Sequence, residues 1–340
     1  MTVRRRRGSA VIWAVALTAV LVAIPAVGVA WIQSSIDRDA GVTAELRSPG
    51  RGQGRTFLVV GNDSRERIRA DAGDRFGRTD TLTDQRADAI MLVQLPRRGG
   101  GPVRVLSLPR DLRVDGAGFG PQKLSWVLGY AGRPALVRTV RELTGVPVQH
   151  YVEMDFVGFA AAVDAAGGVT LDFPRPGRDA TTGFEVTAGH HRLDGTAALA
   201  YARSRTYEEL DESGWALVDD GDGGRIQRQH ALVRAALGQR GSSTRPSVVD
   251  RLRWLRRVGH HLTVDSGLSA VDLVRLAGAL AALRPDQLEL ATLPTRALVP
   301  QSERVSPFPP YHLGGVAYEV PVEPAASEAI GAFLRGSEAR

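Results

Sequence analysis

Five short segments of this 340-residue chain set charged groups beside Gly, Ser or the ends of apolar runs. Such places, where loops leave a rigid sheet, commonly carry chemistry. The first is Gly61-Asn62-Asp63-Ser64-Arg65, an acid, a hydroxyl and a guanidinium suited to holding a metal ion and a phosphate oxygen. An Asx turn capping the next element is the ordinary alternative. The second, Gln85-Arg86-Ala87-Asp88, directly precedes an apolar run, and the third, Ser107-Leu108-Pro109-Arg110-Asp111, directly follows one. Either could be a plain surface ion pair, worth about 0 to 1 kcal/mol. Arg78-Thr79-Asp80 repeats the second spacing without an apolar run behind it, so Arg86 and Asp88 are preferred. The fourth is Lys123, the only lysine in a chain that otherwise uses arginine. A compact ammonium bends onto one oxygen where a planar fork cannot. The fifth combines Arg203-Ser204-Arg205 with Arg225-Ile226-Gln227-Arg228-Gln229. At helical spacing Arg225 and Gln229 share a face. Arg203 and Arg205 could simply complement a helix C-terminus. Gathered together, these guanidinium groups would repel one another without an anion between them, and pyrophosphate matches their forks bidentately.

Elements able to position these groups are legible along the chain. Apolar runs at 57–60, 89–93 and 103–108 read as buried strands, the last two joined as a hairpin through the turn-forming stretch 96–102. A helix over 134–144 ends at Gly145, and a strand at 151–154 leads into a helix over 156–166 stopped by Gly167-Gly168. A strand at 169–173, helices at 193–202, 226–237, 248–262 and 268–283, strands at 288–293 and 316–320, and a helix at 325–334 follow. Strands alternating with helices predict one α/β domain over 56–334, with a tail at 335–340.

The N-terminus supplies the compartment. Arg4, Arg5, Arg6 and Arg7 precede residues 8–32, which contain no charge. A membrane span needs ~20 apolar residues, whereas a cleavable signal has a core of only about 7 to 15, so length predicts a transmembrane signal anchor at 8–32. The arginines at 1–7 predict a cytoplasmic N-terminus, a polar stalk at 33–55 and an extracytoplasmic domain on a single-pass cell-membrane protein. Setting the four arginines aside lowers the formal charge from +6 to +2, so the remainder is nearly balanced and nucleic acid is not an expected partner. Without cysteine there is no disulfide, thiolate zinc site or thiol nucleophile. His190-His191 and His260-His261 lack the spaced acid of a zinc hydrolase.

In order, Gly61-Asn62-Asp63-Ser64-Arg65, Arg86-Ala87-Asp88, Leu108-Pro109-Arg110-Asp111, Lys123, the stretch 159–169, Leu193-Asp194-Gly195 through Tyr201-Ala202-Arg203-Ser204-Arg205, and Gly224-Arg225-Ile226-Gln227-Arg228-Gln229 resemble the LytR-CpsA-Psr family over about 56–237. The resemblance implies a single three-layer α/β/α sandwich with a mixed central sheet, an apolar groove for a lipid tail and a polar mouth for its pyrophosphate with Mg²⁺, Mn²⁺ being an alternative ion. It implies Asp63 and Asp88 as metal ligands, and Arg86, Arg110, Lys123, Arg203, Arg205, Arg225 and Gln229 as pyrophosphate-binding residues. Asp63, Asp88, Arg110, Asp111, Arg205 and Arg225 become the expected catalytic set. The implied reaction is glycopolymer phosphotransfer from a polyprenyl-pyrophosphate-linked donor to the muramic acid 6-hydroxyl of peptidoglycan, with Asp63 or Asp111 available for the hydroxyl proton. A non-catalytic, membrane-anchored lipid binder that regulates wall synthesis is the rival reading. The chain departs from the family at Ser125-Trp126 and in the acidic segment 206–222, expected to be a solvated loop, or else a lid or acceptor contact.

Overall fold

A computed structural model describes residues 34–48, 54–63, 85–96, 101–115, 120–238, 247–281, 283–298 and 318–335. The expected span at 8–32, Ser64, Arg65, the copy Arg78-Thr79-Asp80, the start of the strand expected at 316–320 and residues 336–340 of the tail lie outside them. Among the described residues no helix is long and apolar enough to cross a membrane.

The chain runs through β1 (Asp37–Asp39), α1 (Ala40–Glu45), β2 (Arg55–Asn62), β3 (Ala87–Leu95), β4 (Val103–Leu108), β5 (Arg113–Asp115), β6 (Pro121–Lys123), α2 (Leu124–Thr144) and β7 (His150–Asp155). It continues through α3 (Phe156–Ala165), β8 (Val169–Phe173), β9 (Gly177–Asp179), β10 (Phe184–Val186), β11 (Gly189–Leu193), α4 (Gly195–Arg203), β12 (Thr206–Asp211), β13 (Gly214–Asp220) and α5 (Gly221–Gly238). The last part holds α6 (Val248–Val258), β14 (Leu262–Asp265), α7 (Ala270–Ala281), β15 (Leu288–Thr292), β16 (Thr295–Leu298), β17 (Tyr318–Pro321) and α8 (Ala325–Arg335).

Seven strands form a mixed sheet in the order β1-β14-β7-β2-β3-β4-β15. The apolar runs at its centre are buried on both faces, as their near-continuous hydrophobicity requires. Leu58, Val60, Leu92 and Leu106 pack against α1, α2 and α8. Phe57, Val59 and Val93 point the other way and pack against α6 and α7. Helices therefore cover both faces, giving three layers. A smaller core beside the sheet joins β8, β10, β11 and α4 to Tyr207 and Leu232.

The expected β3–β4 hairpin is present, with Ile90 opposite Leu108. Strand directions bring the C-terminal ends of β2, β4 and β7 to the same end of the sheet as the start of β3. That end carries the candidate site.

Four expectations are corrected. Within the expected stalk, Asp37–Asp39 pairs parallel with β14 and Asp39 caps a short helix that buries Val42 completely. A three-residue strand and one buried side chain leave no period to read. The helix expected over 134–144 starts at Leu124, and its break falls at Gly132, whose φ of 80° is left-handed, two residues before Pro134. The helix expected over 248–262 ends at Val258, and Leu262–Asp265 is a sheet strand. The helix expected from Leu193 starts later, because Asp194 accepts the Ala197 N–H at 2.8 Å as its N-cap.

Candidate active site

Asp63 is held at the end of β2 by two bonds to Arg86. Its backbone N–H donates to the Arg86 carbonyl at 3.1 Å, and its Oδ1 accepts the Arg86 N–H at 2.7 Å. The approach to Arg86 depends on Gly129 of α2, where a Cβ would come within 2.6 Å of the Gln85 carbonyl oxygen. Asp88, in β3, accepts from the Arg110 guanidinium. Arg225 Nη1 lies 3.8 Å from the same Asp88 oxygen.

Arg110 and Asp111 leave the end of β4 together. Asp111 Oδ1 pairs with Lys123 Nζ at 2.9 Å, and its Oδ2 lies 3.6 Å from Arg205 Nη2. The start of α2 is docked on the same turn, since Ser125 N–H donates to the Arg110 carbonyl at 2.9 Å. Glu319 of β17 donates its N–H to the Asp111 carbonyl at 2.9 Å.

Asp222 closes the cluster. Its Oδ2 accepts the Arg110 backbone N–H at 2.9 Å, and its other oxygen pairs with the Arg225 guanidinium one helical turn on. Gly221, with φ of 74°, makes the left-handed turn that puts Asp222 at the start of α5. Asp222 and Arg225 are only 4% and 3% exposed, so this pair is desolvated.

One connected network thus joins Asp88, Arg110, Asp111, Lys123, Arg205, Asp222 and Arg225, with the Asp63–Arg86 bridge beside Asp88 in the chain. Four of its members are cations and three are carboxylates. Arg110 Nε and Arg225 Nε are buried and make no hydrogen bond among the described residues, although Arg110 Nε lies 3.8 Å from Asp111 Oδ1 and 3.9 Å from Asp222 Oδ1, itself a buried acceptor without a hydrogen bond. A buried orphan donor costs about 1 to 3 kcal/mol, so both donors have capacity left for a further acceptor.

The electrostatics agree. Burial, then the neighbouring Arg110 and Arg205, pull Arg225 below its ordinary pKa against Asp222 and Asp88. Burial opposes the charge on Arg110, yet Asp88, Asp111 and Asp222 together raise it. Burial also works against the Asp111 anion, but Lys123, Arg110 and Arg205 hold its carboxyl below the usual carboxylate range. Asp111 is a weak base here.

Three expected phosphate ligands have other partners. Gln229 Nε2 donates to the Ala202 carbonyl at 3.3 Å, and the nearby Arg228 donates to the Ser204 carbonyl at 2.8 Å, so both fasten α5 to the end of α4. Arg203 lies over the Phe156 ring at 4.5 Å and lines a cleft of about 390 Å³ with Phe184, Glu185, Asp194 and Thr196. Arg86 contributes its backbone to Asp63. The acidic segment 206–222, expected as a solvated loop, is the β12–β13 hairpin followed by a site carboxylate.

Two carboxylates that shape this cluster fall outside the residues expected from the sequence. Asp222 sits three residues before Arg225, a helical spacing that could have exposed it. Asp179, 1% exposed, accepts from Ser204 Oγ, from the backbone N–H groups of Arg205 and Thr206 at 3.1 and 2.9 Å, and from Thr181 Oγ1 at 2.5 Å. It moulds the turn that presents Arg205, and no pattern in the sequence announces it.

The donor set suits a hard cation. Among the described residues no group of three His, Cys, Asp or Glu could hold a metal ion alone. Asp63 and Asp88 offer two carboxylates, and Mg²⁺ is usually bound by one or two carboxylates completed by substrate phosphates and water.

Comparison with known proteins adds kinship to this geometry. Residues 30–307 match the LytR_cpsA_psr family. The chain is 30% identical over 292 residues to the probable cell wall biosynthesis protein LcpB of Corynebacterium glutamicum, covering 84% of this chain and 63% of that one. It therefore spans less than two thirds of that relative. It is 30% identical over 256 residues to the polyisoprenyl-teichoic acid–peptidoglycan teichoic acid transferase TagU of Halalkalibacterium halodurans, covering 73% and 75%. Among solved structures, the LytR-Csp2A-Psr enzyme from Actinomyces oris superposes with a TM-score of 0.62 at 28% identity, covering 88% of this chain and 96% of that one.

Proposed function

The chain belongs to the LytR_cpsA_psr family, and from that footing we propose that it is a phosphotransferase moving a glycopolymer from a polyprenyl-pyrophosphate-linked donor to peptidoglycan, with release of polyprenyl phosphate. The observation that carries this reading is the convergence of Arg110, Lys123, Arg205 and Arg225 on only three carboxylates, with Arg110 Nε and Arg225 Nε making no hydrogen bond among the described residues. A pyrophosphate diester supplies the missing acceptors in the bidentate geometry that guanidinium favours. The relative named as a teichoic acid transferase supports a glycopolymer donor and a peptidoglycan acceptor.

In this reading the muramic acid 6-hydroxyl attacks the sugar-side phosphorus. A new P–O bond forms, the bridging P–O bond breaks, and its electron pair leaves with polyprenyl phosphate. Arg110 and Arg225 grip the pyrophosphate from the sheet side, while the half-exposed Arg205 reaches it from the α4–β12 turn. Positioning and charge stabilisation supply most of phosphoryl-transfer catalysis. Asp111 holds Lys123 and Arg205 in place, and its lowered basicity makes it a poor acceptor for the hydroxyl proton. A bound Mg²⁺ or Mn²⁺, held by Asp63 and Asp88, would add neutralisation of the phosphoryl charge. The uncharged run at 8–32 behind four arginines supports a signal anchor that keeps the domain beside its lipid substrate.

The test is reconstitution of the full chain with Mg²⁺, a synthetic polyprenyl-pyrophosphate sugar and peptidoglycan fragments. A phosphodiester-linked product and free polyprenyl phosphate are expected. Tight donor binding without product would replace the transferase by the lipid-binding regulator.

A further inference from the structure

Six large apolar side chains are exposed among the described residues, and four of them, Leu210, Trp215, Leu217 and Val218, lie on the β12–β13 hairpin. Their exposures run from 36% for Trp215 to 51% for Leu217. Leu210 stands opposite Trp215 and Glu208 opposite Leu217, so Leu210, Trp215 and Leu217 share one face of the hairpin. The hairpin is pinned to β9, because Arg178 pairs with Glu208 at 2.7 Å and stacks 4.1 Å from the Trp215 ring centroid. An exposed apolar cluster of this kind, bordered by the Glu208–Arg178 pair, marks an interaction surface.

Strand topology locates the N-terminal edge of the domain. β1 is parallel to β14, β14 is antiparallel to β7, and β7 is parallel to β2. The start of β1 therefore lies at the same end of the sheet as the end of β2. The register makes this concrete, since Asp37 is level with Thr263, Glu153 and Val60. Three strand spacings, about 14 Å, separate β1 from β2. The uncharged run ends at Ile32, and the stretch from there to Asp37 spans at most about 18 Å when fully extended. The hairpin is rooted at this same end, where Gly221 N–H donates to the Arg205 carbonyl at 3.1 Å beside Asp222.

Resting on the anchor reading above, we propose that the mouth faces the bilayer and that the hairpin lies on the lipid surface through Leu210, Trp215 and Leu217. Trp favours the membrane interface, and aliphatic side chains enter its acyl boundary. Glu208, Glu209, Asp211 and Glu212 on the same hairpin make a zwitterionic surface the better match than an anionic one.

The absence of cysteine allows a clean test. Single Leu210→Cys and Leu217→Cys variants of the full chain are labelled with a small fluorophore in phosphatidylcholine vesicles, with Val249→Cys, an exposed apolar position at the start of α6, as reference. Nitroxide-bearing lipid should quench the hairpin labels at least threefold more than the reference, iodide in water should do the reverse, and added phosphatidylglycerol should weaken the contrast. Equal quenching at all positions, with protein still floating with the vesicles, overturns the docking and leaves the anchor intact. Protein that fails to float removes the anchor and the proposal together. Hairpin labels shielded only after peptidoglycan fragments are added would make the hairpin an acceptor surface and overturn the proposal. The turnover assay decides the transferase reading separately.

Discussion

Asp222 accepts the backbone N–H of Arg110 at 2.9 Å across 112 positions of sequence, so the turn after β4 and the start of α5 hold one another in register. Asp222→Ala removes that acceptor and the Arg225 counter-charge at once. A loss of transfer of two or more orders of magnitude is expected, with destabilisation of about 3 to 5 kcal/mol for breaking a buried pair. Asp222→Asn keeps an oxygen for Arg110 and should restore part of the stability but little of the turnover, as paired melting and rate measurements would show.

Arg205 and Arg225 separate the chemical role from the structural one. Arg205 has a side chain 42% exposed, against 4% for Arg225. Arg205→Ala should lower transfer by orders of magnitude, as loss of a transition-state arginine does, with a stability change under about 0.5 kcal/mol. Arg225→Ala should lose transfer and also melt earlier, because Asp222 is left buried and uncompensated. Arg104→Ala, which breaks only a peripheral pair with Glu289, serves as control and should leave both quantities near normal. Near-normal turnover in Arg205→Ala would remove it from the site.

Asp179 should reveal itself in acid. Burial opposes its charge, but hydrogen bonds from Ser204, Thr181 and Thr206 hold the carboxyl far below the usual range. A depressed carboxylate stabilises the fold above its unfolded pKa of about 3.9 and loses that contribution as pH falls below it. Asp179→Asn should therefore cost at least about 2 kcal/mol at neutral pH and flatten the fall in stability below pH ~4. Unmooring Arg205 should raise the KM for the lipid donor as well. An unchanged KM would confine Asp179 to stability.

His230 predicts a second, separate window. Its Nε2 lies 2.8 Å from Ser107 Oγ, and burial, then Arg234, lowers its pKa to about 4. Between that value and the unfolded value of about 6.5 the unfolded chain binds more protons, so stability falls as pH drops through this range, by up to about 3 kcal/mol. His230→Gln should remove most of that slope. Urea midpoints at pH 7 and pH 4.5 would measure it, and an equal slope in the variant would assign the effect to another group.

The sequence made the central strands legible because 57–60, 89–93 and 103–108 are apolar runs between turn residues, and those strands carry Asp63, Asp88 and Arg110 to one end of the sheet. It hid the three-residue strands β1, β5, β6, β9 and β10, where two side chains on one face establish no period. In 206–222 the acidic residues outweigh the short apolar run from Trp215 to Val218, so a hairpin reads as a solvated loop. Asp222 was submerged in the same charge run. Asp179 was invisible for a different reason: its donors Ser204, Arg205 and Thr206 lie 25 to 27 positions away and meet it only in the folded chain.

The edge strand β1 also sets a timetable. Among the described residues its one neighbour in the sheet is β14, and Asp37 meets Thr263. During synthesis at about 5 to 20 residues per second, the first strand waits roughly 10 to 45 s for its mate to emerge. Over that interval the backbone edge of β14's future slot and the apolar side chains of β2 and β7 are uncovered, the state in which chains aggregate or are cut by proteases. Faster delivery of the C-terminal third, or a holdase that shields the open edge, would thus raise the yield of folded protein without altering one contact in the finished structure.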